Sequence, residues 1–227
     1  HTELNDIKPI TDNQKEVFNS YNKGQNLFLY GVAGTGKTFV ALYNALKDVL
    51  DPKSPRERVY IVRSLLPTRD IGFLPGDEED KSYLYQVPYQ NMVRFMFKQP
   101  DERAFEQLYN NLRNQGTIDF LSTSFLRGIT IDNGVIIVDE CQNLNFHELD
   151  TIMTRVGQDT RIIFAGDIQQ TDLTKTNDRN GILDFVNIMQ EMKEIECIEF
   201  NIGDIVRSGL LKSYLINKIK LGLHYEQ

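Results

Sequence analysis

The chain has 227 residues, which suits one domain or one domain with insertions. Its apolar fraction of 41% can fill a core, and no stretch approaches the ~20 apolar residues of a membrane span. A net charge of -7 excludes a globally basic nucleic-acid footprint and leaves room only for a local basic channel. Cys141 and Cys197 share no ligand spacing with each other or with His1, His147 and His224, so a zinc site is not expected. Two thiols suit a reducing compartment, and no basic, apolar, small-residue leader is visible, so a cytoplasmic protein is expected.

Strands alternate with amphipathic helices, which predicts an α/β domain on a mainly parallel sheet flanked by helices. Thr11 caps a first helix running to about Tyr21. Residues 26–30 form a short apolar strand. A glycine-rich loop follows, then a helix with Leu42, Ala45, Leu46 and Val49 on one face. The next strand spans 58–63. Residues 64–87 read as irregular, broken by Pro67, Gly72, Pro75 and Gly76. One helix is predicted from near Pro88 with Met92, Val93 and Met96 inward, and another over 102–115 with Phe105, Leu108, Tyr109 and Leu112 inward. This pair interrupts the rhythm and reads as a helical insertion around 80–115.

Strands follow at 118–121 and 135–138. The second is an unbroken apolar run, as at a sheet centre covered on both faces. His147 is expected on an exposed turn leading into a helix at 147–156. The remaining elements are a strand at 161–165, a helix at 181–192, a strand at 195–200, and a last helix capped by Ser208 and built on Leu211, Tyr214 and Leu215. No repeat or long linker divides the chain, so 1–227 reads as a single domain.

Gly31-Val32-Ala33-Gly34-Thr35-Gly36-Lys37-Thr38 matches the full phosphate-loop pattern in the required strand-to-helix context. Glycines let successive N–H groups around Gly31, Ala33, Gly34, Thr35 and Gly36 turn toward phosphate oxygens, and the next helix adds its positive dipole end. In this reading Lys37 bridges the β- and γ-phosphates and Thr38 ligates Mg2+. The apolar run 135–138 then delivers Asp139 and Glu140 to a strand end, where ligands bind in such sheets. Asp139 would hold the metal through its water shell and Glu140 would orient the attacking water.

Several residues admit two readings. Asp167 and Gln170 follow the strand at 161–165 and form either a polar turn or a γ-phosphate sensor. Thr11-x-x-Gln14 is a capping box, or Gln14 reads the adenine edge. No guanine-reading Asn-Lys-x-Asp is present, which favours ATP. Lys53, Arg56, Arg58, Arg63 and Arg69, and Lys212, Lys218 and Lys220 in the last helix, are either solvated surface charge or a basic groove.

Taken together, these residues resemble the PhoH-like family, phosphate-starvation-inducible ATPases related to superfamily-one helicases. The match covers nearly everything from Ile10 to about Tyr214. It runs through Thr11 and Gln14, the phosphate loop, Ile71-Gly72-Phe73-Leu74-Pro75-Gly76-Asp77, Phe125-Leu126-Arg127-Gly128 and Asp139-Glu140-Cys141-Gln142-Asn143. It continues through Met153-Thr154-Arg155-Val156-Gly157, the segment from Gly166 to Leu173, and Asp204-Ile205-Val206-Arg207. Gly-Phe-Leu-Pro-Gly-Asp is its most specific segment.

The resemblance implies a RecA-like P-loop NTPase domain that hydrolyses ATP with Mg2+, a homo-oligomeric ring of six subunits, and a link to RNA. It assigns adenine reading to Gln14, phosphate sensing to Gln170 and the late helicase-like arginine to Arg207. Family members occur in bacteria and in bacteriophages, so a phage member would work in the host cytoplasm. This chain departs from the family at Arg63-Ser64, where proline usually follows the arginine, and at Ser208-Gly209, where His-Pro is usual. Helicases of this lineage place ATP between two fused cores. A chain with one core therefore needs an arginine from a neighbouring subunit, with Arg127, Arg155 and Arg207 as candidate donors, each of which also reads as a surface ion pair. A small-molecule phosphotransferase and an ATP-switched scaffold are the alternatives.

Overall fold

A computed structural model describes residues 3–63, 78–169, 181–206 and 208–223. The elements run α1 (Asp12–Asn22), β1 (Asn26–Gly31), α2 (Lys37–Val49), β2 (Arg58–Arg63), α3 (Glu78–Met96) and α4 (Glu102–Asn114). They continue as β3 (Ile118–Ser122), β4 (Gly134–Val138), α5 (Phe146–Met153), β5 (Arg161–Gly166), α6 (Ile182–Glu191), β6 (Ile195–Phe200) and α7 (Gly209–Lys220). The strands form one sheet in the order β3-β2-β4-β5-β1-β6, and every pairing is parallel.

A parallel sheet needs crossovers that cover its faces, and both faces here are covered. Leu27, Leu29, Val59, Ile61, Val135, Ile137, Ile163 and Ala165 point to one side, where they pack with α1, α2, α3 and α4. Their chain neighbours Phe28, Tyr30, Val62, Ile136, Val138, Ile162 and Phe164 point to the other side, against Leu149 and Ile152 of α5 and Phe185, Val186 and Met189 of α6. The strand period of two thus serves both cores, which is why 135–138 carries no polar residue. α2 is the central helix: Val40 through Leu46 are all buried, including Asn44, whose side chain donates to the Val40 carbonyl at 2.8 Å.

The helical pair at 80–115 is the crossover between the adjacent strands β2 and β3. Tyr89, Val93 and Met96 of α3 and Phe105, Leu108, Tyr109 and Leu112 of α4 belong to the same core as Val59, Ile61 and Ile118. α3 begins at Glu78, not near Pro88, and the proline lies inside it. An interior proline costs ~3 kcal/mol in a helix. Burial of Tyr85 and Tyr89 on either side of Pro88, and of Val93 and Met96 beyond it, offsets that cost. Asp101 caps α4 by accepting from the Ala104 N–H at 2.8 Å.

Three local expectations are revised. His147 lies inside the first turn of α5, exposed, with Asn145 as the cap and Glu148 completing a capping box. α5 stops at Met153, earlier than periodicity suggested. α7 starts after Ser208, whose side chain makes no cap hydrogen bond, and it buries no residue: Leu210 is 89% and Tyr214 61% exposed. Its apolar residues recur at helical spacing, yet only Leu215, Ile216 and Ile219 among them are even partly covered. Among the described residues no helix is long and apolar enough to cross a membrane.

Leu42 is fully buried at the centre of α2. Leu42→Ala should cost about 2–5 kcal/mol, read as a lower urea midpoint at unchanged slope.

Candidate functional site

β1 ends at Gly31 with φ +116°, and a Cβ there would collide with the backbone carbonyl of Phe200 at the end of β6. The loop then turns at Gly34 (φ +76°) and Gly36 (φ +80°) before α2 begins at Lys37. Thr35, fully buried, holds the curve by donating its hydroxyl to the Val32 carbonyl at 2.8 Å. Two bonds tie the loop to β6 and the segment after it: Val32 N–H to Phe200 O at 3.1 Å and Val206 N–H to Gly34 O at 3.2 Å.

Lys37 is only 5% exposed. Its Nζ donates to Val32 O at 2.7 Å and lies 2.9 Å from Asp167 Oδ1, just past the end of β5. A buried ammonium needs such partners, and Asp167 supplies the countercharge. Asp167 is thus more than a polar turn. Its own N–H is held by the Gln142 side chain at 3.2 Å.

Asp139 continues the alternation of β4. Val135 and Ile137 face α2, so the next residue in that phase also faces α2. Thr38, in the first turn of α2, donates its hydroxyl to Asp139 Oδ1 at 2.8 Å. The same oxygen accepts from the Glu140 N–H at 2.9 Å, and Oδ2 accepts from the Tyr89 hydroxyl at 2.5 Å. Glu140 sits in the left-handed region at φ +50°, a conformation that costs a non-glycine residue about 1–3 kcal/mol and concentrates at functional sites. This turn aims its carboxylate back toward β2, where Arg63 Nη2 donates to Oε2 at 2.6 Å.

Gln14 is 4% exposed and makes half of the expected capping box. Its N–H reaches Thr11 Oγ1 at 3.2 Å, but its side-chain oxygen accepts from the Ile10 N–H at 2.9 Å rather than from the cap residue itself. Its amide nitrogen donates to Thr35 O, 3.2 Å away in the phosphate loop. Gln14 therefore joins the N-terminal segment to the loop. Asn13 makes a parallel tie, donating to Asp204 Oδ2 at 2.6 Å.

The residues fit a phosphate-bound Mg2+. Thr38 and Asp139 offer hard oxygens side by side, and no group of three ligating side chains gathers among the described residues. Mg2+ commonly takes one or two protein oxygens and completes its shell with phosphates and water. The charges agree: Asp139, Glu140 and Asp167 outnumber Lys37 and Arg63, so a polyphosphate would meet a net negative rim unless a divalent cation came with it.

Not every predicted residue joins the site. Gln170, Arg207, Arg69 and the segment 71–77 lie outside the described residues. Arg155 donates to the carbonyls of Thr151 and Ile129 near the entry to β4, the sheet edge away from the loop. Arg127 is exposed, past the end of β3. Within the described part of the basic stretch, Arg56 pairs with Asp48 and Arg63 with Glu140.

The family model described as PhoH-like protein matches residues 6–218. The chain belongs to the PhoH family. It is 28% identical over 207 residues to a PhoH-like protein of Synechocystis sp., covering 91% of this chain and 60% of that one. It is 35% identical over 161 residues to Protein PhoH2 of Bacillus subtilis, covering 70% and 35%. With Protein PhoH of Escherichia coli it shares 29% identity over 215 residues, covering 92% and 58%. This PhoH-family chain thus spans 60% or less of these relatives. Among solved structures, the large terminase of the thermophilic bacteriophage D6E shares its fold, with a TM-score of 0.55 at 12% identity over 93% of this chain and 50% of that one.

Two residues beside Asp139 and Glu140 escaped sequence reasoning in these roles: Tyr89, hidden in a helix read as packing, and Arg63, read as solvated surface charge or part of a basic groove. The spacing of Tyr85 and Tyr89 was the available signal, but tyrosines one turn apart on an apolar face ordinarily mean core.

Gly31→Ala should cost about 1–3 kcal/mol through its forced φ alone, with the Phe200 collision adding to it. Calorimetry should show Tm falling by roughly 2–10 °C.

Proposed function

We propose that this chain binds ATP with Mg2+ at the β1–α2 loop and hydrolyses it, as a subunit of a ring that works on RNA in the cytoplasm. The observation that carries the reading is the convergence of Lys37, Thr38 and Asp139, with Glu140 next along the chain, at the carboxyl ends of β1 and β4. Membership of the PhoH family supports it. Loop N–H groups and the N-terminus of α2 bind the phosphates, and Lys37 swings from the loop carbonyls onto the β- and γ-oxygens. Mg2+ supplies charge neutralisation and in-line alignment when bound. Thr38 and Asp139 hold it. Glu140 orients a water, and its position beside Asp139 favours water over an alcohol as the acceptor. Gln14, already tied to the loop, reads adenine, while Gln170 senses the γ-phosphate and Arg207 neutralises charge on it. The ring, of six subunits by family resemblance, brings a neighbour's arginine to the site.

Lys37→Ala should abolish ATP turnover, and Glu140→Gln should keep ATP affinity while turnover falls, measured by titration calorimetry and phosphate release. Parental turnover in either variant would defeat the assignment of that residue.

The ring reading is tested by mixing Lys37→Ala with Arg207→Ala subunits. Loss of an arginine finger costs ~10³-fold or more. If Arg207 acts across the boundary, mixed assemblies recover activity, because an intact loop then faces an intact arginine. A monomer with full activity by mass measurement would overturn the ring, and a rate indifferent to added RNA would overturn the RNA link.

A further inference from the structure

α3 lies against the end of the sheet that carries both acidic residues, and presents Tyr85 and Tyr89 one helical turn apart on one face. Tyr89 is 2% exposed and donates to Asp139 Oδ2 at 2.5 Å. The other oxygen, Oδ1, is taken by Thr38 Oγ1 at 2.8 Å and the Glu140 N–H at 2.9 Å. Three donors on two oxygens leave the carboxylate one orientation.

Tyr85 acts one step further from the chemistry. The Arg63 guanidinium carbon sits 4.9 Å from its ring centroid, and Arg63 Nη2 donates to Glu140 Oε2 at 2.6 Å. Asn143 approaches the same oxygen at 3.5 Å. Glu140 Oε1 takes no hydrogen bond among the described residues, so the arginine holds one oxygen only.

We propose that α3 is a positioning element for hydrolysis: Tyr89 sets Asp139 for the divalent cation, and Arg63, backed by Tyr85, sets Glu140 for the water. This rests on the roles given above to Asp139 and Glu140. Neither Tyr89 nor Arg63 touches a reacting atom. Phosphoryl transfer through a loose transition state depends more on alignment than on base strength, and alignment is what these contacts supply. A tyrosine hydroxyl that merely found an acceptor in the core would contribute to stability and leave metal affinity alone.

The test uses the full chain with Tyr89→Phe, Arg63→Ala and Arg63→Lys. Tyr89→Phe keeps the ring in the core. With Mn2+ as the probe and ADP present, electron paramagnetic resonance should show metal affinity falling by about 10-fold in Tyr89→Phe, while ADP affinity in EDTA is unchanged. Arg63→Ala should lower kcat at unchanged KM for ATP, and Arg63→Lys should restore part of it. Parental Mn2+ affinity in Tyr89→Phe, or parental kcat in Arg63→Ala, overturns that half of the inference while the nucleotide reading stands. A parent chain that binds no Mn2+ with ADP overturns both. If Tyr89→Phe melts early, the Mn2+ titration is run below its melting temperature, where the same loss of about 10-fold is expected and parental affinity overturns that half.

Discussion

One hydrogen bond, 2.8 Å from Thr38 to Asp139, joins residues 101 positions apart, and the rest of the site is arranged around it. It exists because β1 and β4 lie in the same sheet with β5 between them, all running the same way. Val138, the last residue of β4, is level with Phe164 and Phe28, so β4 ends short of β5 and β1 and leaves Asp139 beside Thr38 at the end of the phosphate loop. A one-residue slip would turn Asp139 from the α2 face to the α5 face, away from Thr38. Register is protected by the two cores, since the same slip would exchange Ile136 and Ile137 of β4 between them.

The phosphate loop is braced from outside itself. β6 supplies the carbonyl of Phe200 to Val32, α1 supplies the Gln14 amide to Thr35, and Val206 donates to Gly34. Gly31 is needed because β6 passes so close that no side chain fits. These contacts fix a backbone whose N–H groups must point inward together, a shape that an isolated glycine-rich segment would lose to conformational entropy. Lys37 and Glu140 mark the cost of the arrangement: a nearly buried ammonium and a strained left-handed residue, each held by one opposite charge.

The crossover between β2 and β3 shows where sequence reading fell short. Its second helix was legible from Phe105, Leu108, Tyr109 and Leu112, and its inner residues are the buried ones. Its first helix was cut short because proline ordinarily stops a helix, whereas here tertiary burial on both sides carries the helix through. α7 failed in the opposite direction. A regular apolar face predicted burial, but periodicity reports only that a face exists, not what lies on it.

By itself the sequence determined the parallel α/β layout, the helix and strand periods, the glycine loop before α2 and the acidic pair after an apolar strand. These are local facts, set by steric limits on backbone angles and by the spacing of apolar residues along one segment. The tertiary structure alone decided that Asp139 meets Thr38 and Tyr89, that Lys37 meets Asp167, that Arg63 meets Glu140, and that Gln14 ties to the loop. Each of those pairs joins residues far apart in the chain, whose meeting depends on strand order, and strand order is a property of how the whole sheet buries its two faces.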